Sequence, residues 1–373
     1  MSGGAHTGSG VALKVAHLCG SADTRIGGSL PVARDLVAGQ VLRGIDARLV
    51  YLYRSPTHHA DPDSRIPSVC LDIDRSQRYT RGILALRRIL QDFQPDIVHH
   101  HDGLLWPRVV TPGLGVPLVT HGHSEAPKTW SRRMLQRFAL RGTRRMLAVS
   151  QWTADGWVAA GFPREKISVV LNGVDSQRFR RRPAEARRAK LSALGLDPDA
   201  RILLWAGRLE RKRKGLDRLI KVGKLLPQEW VCVIAGDGTD RDWLAAEVAA
   251  LPNGSRFRLL GNVPNPEEWF GIADAYLFTS PAEPFGLVIL EAAASEVPIL
   301  GFACSGGAMQ LLAELKAEML DEFDDVQLKR MFQDLGPSDR TSAARGIVED
   351  LYSWESVADR TIAIYRELMG ATP

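Results

Sequence analysis

Short, continuous apolar runs alternate with longer segments of helical period along most of the chain. Residues 13–19 (LKVAHLC) are such a run. A turn follows (DTRIGGSLP), then a helical stretch to about Leu42 and a second apolar run within RGIDARLVYLY. Runs that are apolar without alternation belong to strands covered on both faces, as in parallel sheets. The chain therefore begins as a βαβ unit. Residues 55–69 read as loop and 78–92 as a basic helix, ahead of strands in QPDIVHHHD and GVPLVTHGHSE. MLAVSQWTADGWVAAGFP gives a strand and then a helix that Ser150 starts, and a serine at an N-cap needs no other role. KISVVLNGVDSQRF adds a strand and a turn. The alternation restarts with RILLWAGRLERKRKGLDRLIKVGKLL and runs through WVCVIAGDGTDRDWL, RFRLLGNVP and IADAYLFTS. Residues 279–310, TSPAEPFGLVILEAAASEVPILGFACSGGAMQ, predict a loop feeding a helix. That helix stops before Pro298, because proline breaks helix interiors and biases the preceding residue away from helix. SWESVADRTIAIYRELM is a closing amphipathic helix.

A chain of 373 residues with this pattern suggests two α/β domains. No run reaches the ~18 apolar residues of a membrane span. The first dozen residues (MSGGAHTGSGVA) lack the basic and apolar regions of a signal peptide and read as an unstructured tail, so the expected location is cytoplasmic. Four scattered cysteines without a CxxC fit reduced thiols. The net charge of +5 is unevenly spread: residues 1–172 carry 22 basic and 13 acidic side chains, a net of +9, and the remainder a net of −4. A basic first half points to an anionic surface or substrate. Residues 131–145 hold six arginines and no acid, with Met134, Leu135 and Phe138 at helical spacing. Such a segment is either a solvated helix or a membrane-surface helix meeting anionic lipid at the inner face of the membrane. With Phe138 as its one aromatic, it lacks the interleaved rings of a nucleic-acid groove.

The 279–310 stretch holds two acids, Glu283 in the loop and Glu291 in an otherwise apolar run. Gly286 lets the backbone approach a ligand closely, and the first N–H groups of the helix, about Leu287 and Val288, favour an anion. The alternative for Glu291 is an ordinary salt bridge. Arg208 lies just past a buried-strand run, and Lys214-Gly215 opens the next helix. Two cations at a strand end and a helix start suit a diphosphate. Gly27-Gly28 occupies the loop after the first strand, where ligands bind in open parallel sheets, although most glycine pairs mark only a turn. Gly236-Asp237-Gly238 imitates a dinucleotide fingerprint, but the third glycine is missing and Arg258 stands where an acid belongs, which argues against NAD. All nine histidines lie within the first 123 residues, and His99, His100 and His101 are contiguous. Neighbours on a strand face opposite ways, so a compact site from those three is not expected, and no metal is assigned.

The pattern E-PFG-LVI-L-E, from Glu283 to Glu291, resembles the signature of retaining glycosyltransferases of family 4, which have the GT-B fold. Five further segments match in the expected order from about residue 13 to 368. The resemblance implies two doubly wound Rossmann-like domains: an acceptor-binding domain over 1–174, onto which a helix at about 353–370 packs back, and a donor-binding domain over 175–352. It implies a nucleoside diphosphate sugar as donor, UDP or GDP, held between the domains. By resemblance Arg208 and Lys214 (with Gly207 in the GR…KG pattern) grip the leaving diphosphate, Glu283 the donor sugar and Glu291 the ribose. Gly27, Gly28, Gly236, Phe285, Gly286, Leu287, Val288 and Gly306 line the donor, and the backbone near Asn262 and Val263 meets the base. A histidine near the sugar and departing phosphate is His123 or, from the same His121-Gly122-His123 strand end, His121. His121 and His101 are acceptor-side candidates. No cofactor is implied, and no divalent metal, because the cations are on the protein. The implied acceptor is a glycan, a lipid-linked saccharide or a small molecule.

Three departures from the family stand out: Glu296 where a small residue is usual, Gln310 where a Glu usually follows the GG loop, and a short acidic segment after residue 312. The rival readings are a nucleotide-sugar epimerase or phosphorylase on the same fold, and a non-catalytic basic binding protein. No lysine segment suggests a pyridoxal phosphate site, which counts against a phosphorylase.

Overall fold

The structure, a computed structural model, describes residues 12–21, 28–53, 65–101, 110–127, 129, 131, 134, 140, 142–320, 324–335 and 338–370. The N-terminal tail through Val11, Gly27, Leu135, Phe138 and most of the 131–145 segment lie outside the described residues. The chain divides into two units, Met1–Ala148 with Gly156–Val170 and Val357–Pro373, and Val149–Asp155 with Leu171–Ser356. The units change after Val170 and after Ser356, where the sequence reading placed a boundary at 174 and a returning helix at about 353–370.

The first unit is built on seven strands: β1 (Lys14–Ser21), β2 (Asp46–Tyr53), β3 (Ser68–Cys70), β4 (Ile97–His100), β5 (Leu118–Gly122), β6 (Thr143–Ala148) and β7 (Ile167–Val169). They lie in the order β3-β2-β1-β4-β5-β6-β7, and every pairing is parallel. The strand order reverses between β1 and β4, which makes their C-terminal ends the switch point where such sheets bind ligands. The apolar runs read from the sequence are buried on both faces here, from Val15 and Leu18 to Val98 and Val119.

The second unit repeats the plan with β8 (Arg201–Ala206), β9 (Trp230–Ala235), β10 (Phe257–Gly261), β11 (Ala275–Phe278), β12 (Ile299–Phe302) and β13 (Glu318–Leu320). Their order is β10-β9-β8-β11-β12-β13, again all parallel, and the reversal falls between β8 and β11. The helix predicted to end before Pro298 spans Leu287–Ala294 and buries Ile289, Leu290 and Ala292–Ala294. Arg345 closes its far end by donating to the Ala294 carbonyl, a cation where the helix dipole is negative. Arginines before and within the helix Ala184–Ala193 turn inward: Arg181 donates to the carbonyls of Ala273 and Glu296, and Arg187, in the helix, pairs with Asp274 at 3.1 Å. Glu296, at a positive φ of 54°, accepts from Ser342 at 2.9 Å, which gives its unusual carboxylate a partner.

The closing helix spans Trp354–Leu368, and its Tyr365 is fully buried in the first unit. The Tyr365 hydroxyl lies 2.5 Å from His99 Nδ1 and accepts from Gln40 Nε2 at 3.3 Å. Tyr365→Phe removes the one hydroxyl that serves both groups. An unpaired buried polar group costs about 1–3 kcal/mol. The expected result is a melting temperature several degrees lower with unchanged helix content by circular dichroism; an unchanged melting temperature would show that neither group depends on Tyr365.

Candidate functional site

In the second unit one sequence-selected cation and one acid, Lys214 and Glu283, meet beside the β8/β11 switch point. Lys214 ends a short helix, Arg211–Lys214, and its Nζ lies 2.5 Å from Glu283 Oε2. Both side chains keep about a fifth of their surface (23% and 18%), so the pair is reachable from solvent. The backbone under it is fixed by Thr279, which follows β11. Its hydroxyl donates to the Lys214 carbonyl at 2.6 Å and accepts from Trp205 Nε1 at 2.9 Å. Gly215 allows this approach: its φ is +65°, and a Cβ there would stand 2.1 Å from the Thr279 carbonyl oxygen. Glu283 is held from the other side. Its N–H donates to the Ser305 carbonyl at 2.9 Å, its carbonyl accepts from Ala308 at 3.2 Å, and a Cβ on Gly306 would lie 2.0 Å from that same carbonyl oxygen. Ser150 caps its helix by accepting from the Thr153 N–H at 3.1 Å, and also donates to the Pro284 carbonyl at 2.7 Å. Its N-cap role is thus accompanied by a contact that steadies the loop carrying Glu283.

The remaining candidates of this unit sit around that core. Arg208 is half-buried after β8, with Nε 3.4 Å from Glu210 Oε1. The N–H of Gly207 donates to Ala235 at 3.0 Å and that of Gly236 to Gly261 at 2.8 Å, so the loops after β8, β9 and β10 are stitched together. Asn262 is exposed just beyond, beside half-buried Val263. Gly286, in a left-handed conformation, precedes the helix, whose Ile289 N–H is bonded to the Gly286 carbonyl at 2.9 Å. The N–H groups of Leu287 and Val288, two residues and one residue earlier, are those that helix geometry leaves without an intrahelical acceptor. Phe285 is 4% exposed and packs in the core, so only its backbone faces outward. Glu291 is half-buried. Burial together with the carboxylates of Glu291 and Glu283 raises the Tyr276 phenol well above its ordinary range, and burial with Glu283 pushes the Cys304 thiol to about 11. Burial is the larger cause of both shifts, and the carboxylates add to it. A cavity of about 570 Å³ between Val297 and Arg340 contains none of these residues.

In the first unit, Gly28 stands at the N-cap of the helix Ser29–Val41 with φ −84°, a conformation open to any residue. The histidines depart from the sequence expectation. Strand alternation separates His100 from its neighbours, but it leaves His99 and His101 on one face. There β1 and β5 supply His17, His121 and His123: His17 pairs with His99 in register and Thr120 with His100. His17, His99, His101 and His121 are 0–4% exposed, and His123 is half-buried. His101 and His121, expected on the acceptor side, are 2% and 4% exposed. Spacing along one strand could not show this, because the cluster forms across three.

The hydrogen bonds fix the tautomers. Gln40 Oε1 accepts from His17 Nε2 at 2.9 Å, so the neutral His17 ring accepts at Nδ1 from His101 Nε2, at 2.9 Å. His101 then accepts at Nδ1 from His123 Nε2, at 3.2 Å. At the other end Gln40 donates to Tyr365, which donates to His99. The result is one directed chain from His123 through His101, His17, Gln40 and Tyr365 to His99. Neither ring nitrogen of His121 has a partner among the described residues, and neither does His99 Nε2. Desolvation lowers the whole group: His17 to about 4 despite the helping bond to Gln40, His123 to about 3, and His99, His101 and His121 well below 6.5.

These imidazoles stay neutral in the folded chain while free histidine takes up a proton near pH 6.5. The unfolded state therefore binds more protons below that pH, and stability must fall as pH drops from about 6.5. For His17 alone, a shift from 6.5 to about 4 corresponds to roughly 3 kcal/mol lost across that window. Denaturant unfolding in chelator-containing buffer at pH 7.5, 6.0 and 5.0 is expected to show a steep decline in stability, shallower in His17→Gln. Equal stability at all three values would mean that the cluster is protonated when folded.

Two family models match the chain, Glycosyltransferase Family 4 over residues 26–178 and Glycosyl transferases group 1 over residues 186–334. Among curated relatives, a D-inositol 3-phosphate glycosyltransferase of Catenulispora acidiphila is 28% identical over 76% of this chain and 77% of its own length. A glycogen synthase of Mycobacterium tuberculosis is also 28% identical, over 76% of this chain and 72% of its own. Among solved structures, the Anabaena protein HepE in complex with UDP and glucose superposes with a TM-score of 0.80 at 18% identity, covering 95% of this chain and all of that one. Two parallel-sheet Rossmann-like units, the ordered motifs and both family models agree: the chain is a glycosyltransferase of family 4 with the GT-B fold.

Proposed function

We propose that this glycosyltransferase moves a sugar from a nucleoside diphosphate donor to an acceptor hydroxyl with retention of configuration, and that its own cations replace a divalent metal at the diphosphate. The Lys214–Glu283 pair at the β8/β11 switch point carries this reading. It sets a phosphate-binding cation beside a sugar-binding acid, next to the open N–H groups of Leu287 and Val288. Arg208 and Lys214 meet the diphosphate, Glu283 the sugar hydroxyls and Glu291 the ribose. Backbone groups at Gly207, Gly236, Gly286 and Gly306, and near Asn262 and Val263, complete the donor site. The bond from the anomeric carbon to the diphosphate oxygen breaks as the acceptor oxygen attacks on the same face. The acceptor proton passes to the departing phosphate oxygen. Preorganised positive groups stabilise the charge that grows there, which is usually the largest catalytic term. By resemblance to the family, His123 is the histidine assigned to the sugar and the departing phosphate. UDP is favoured as the base carrier because the similar structures of HepE hold UDP, UDP with glucose, or UDP-glucose. Relatives named for inositol phosphate, glycolipid and glycogen chemistry support a hydroxyl-bearing polyol or glycan acceptor.

A thermal-shift series against UDP-, GDP-, ADP- and dTDP-sugars with EDTA present tests the donor site, since a ligand of the folded state raises the melting temperature. A rise with UDP-sugars that survives EDTA is expected. Lys214→Ala and Glu283→Ala should keep the native melting temperature without ligand and lose transfer by about a hundredfold or more, the scale of one lost electrostatic donor. Wild-type turnover in both variants would remove these residues from the site.

No helix of the described residues is long and apolar enough to cross a membrane. The arginines of 131–145 support peripheral binding to anionic lipid, with Met134 exposed. Replacing Met134, Leu135 and Phe138 with Ser is expected to reduce sedimentation with phosphatidylglycerol vesicles, and unchanged sedimentation would overturn the idea.

A further inference from the structure

We propose that His101, His121 and His123 form a transition-metal site of the Zn²⁺ class in the first unit, with His17 as the group that orients His101. One nitrogen of each of these three rings lies within 4.8 Å of the others. The rings are supplied by the C-terminal ends of β4 and β5, at the sheet's switch point beside β1.

Four observations converge on this assignment. First, the donor set is three imidazoles with no carboxylate among them, which suits Zn²⁺, Co²⁺, Ni²⁺ or Cu²⁺ and disfavours Mg²⁺ and Ca²⁺, which want oxygen. Second, His121 is 4% exposed, yet both its ring nitrogens lack a partner among the described residues. Buried polar atoms are nearly always satisfied, and a metal bond takes up one of these two. Third, the tautomer chain is the one a ligand needs. His101 keeps its proton on Nε2, bonded to His17 Nδ1, and His17 is bonded in turn to Gln40. Metal-bound histidines are typically held by such a bond from the second nitrogen. His101 Nδ1 and His123 Nε2, 3.2 Å apart, are then the two atoms that turn to the ion, the His123 proton moving from Nε2 to Nδ1 as the metal takes its place. Fourth, His123 is only half-buried, which provides a route in and leaves a coordination position open, as in three-ligand zinc sites.

The second grouping, His17, His99 and His101, is a weaker choice. His17 already spends both nitrogens on His101 and Gln40, and His99 Nδ1 is taken by Tyr365. The site is made wholly of first-unit residues, whereas Arg208, Lys214 and Glu283, proposed for the donor, belong to the second. The assignment therefore stands whether or not those residues bind a donor.

The test uses full-length protein stripped with chelator and dialysed. Zn²⁺ titrated calorimetrically should bind at one equivalent and raise the melting temperature. Co²⁺ should give the intense visible absorption of a tetrahedral nitrogen site. His123→Ala and His121→Ala should each abolish the stoichiometric uptake and the Co²⁺ spectrum. His17→Gln should keep one site but weaken it by about ten- to a hundredfold, the usual effect of losing an orienting partner. Because His123 keeps solvent exposure, its variant reports on binding even if His121→Ala fails to fold. A variant lacking His6, His58 and His59 serves as the counter-test and should bind as the wild type does. No stoichiometric uptake by the wild type would overturn the proposal. So would uptake that survives His123→Ala with an unchanged spectrum, or uptake that disappears in the His6/His58/His59 variant instead.

Discussion

The second unit depends on how closely two parallel strand ends can approach the loop between β8 and its helix. Thr279 sets that distance. Its hydroxyl joins Trp205 to the Lys214 carbonyl, while its own carbonyl fills the space a side chain on Gly215 would need. Lys214 is thereby presented to Glu283 by backbone geometry and not by a flexible search. A lysine carries considerable rotamer entropy, and a pair held only by its own attraction near the surface is worth little. Here the scaffold fixes the positions of both groups before any ligand arrives. Gly306 and the Ser305 carbonyl do the same for Glu283. The site is thus two backbone approaches, each requiring a missing side chain, that bring one cation and one acid together.

The first unit uses the same sheet plan for a different local chemistry. Its switch point is filled by imidazoles kept neutral by burial, where the second unit gathers charges that stay near solvent. A row of neutral rings can hold a proton chain or a metal at little electrostatic cost, whereas a row of charged rings could not be buried at all. Gln40 and Tyr365 matter for this reason. They set the polarity of the chain from outside the three strands, and Tyr365 does so from a helix some 266 residues away in sequence from His99.

Much of the fold could be read directly from the chain. Buried parallel strands announce themselves as unbroken apolar runs, and proline and glycine mark where helices stop. The Lys214 and Glu283 positions were legible because short motifs carry their own context, a strand before and a helix after. Ser150 and Thr279 were not, since a hydroxyl at a helix start or strand end looks the same whether it serves only its own turn or a distant carbonyl. Among the arginines of 180–188, Arg181 turns inward to the carbonyls of Ala273 and Glu296, and Arg187 to that of Ala200 ahead of β8. Charge density along a sequence does not reveal which side chains turn inward.

The histidines show where reading along one strand fails. Alternation correctly sets His100 apart, but it says nothing about the strands on either side, where β1 puts His17 level with His99 and β5 carries His121 one residue past the Thr120–His100 pair. Register across a sheet is fixed by the connections and helices that separate strands, here as many as 82 residues apart between His17 and His99. Once the strand order β1-β4-β5 is known, the rest follows from period two: residues 99 and 101 share one face of the sheet with 121 and 123, and with 17 beside them. A cluster of five rings is then a consequence of topology, and the nitrogens of His121 at its centre are what hydrogen bonding among the described residues leaves over.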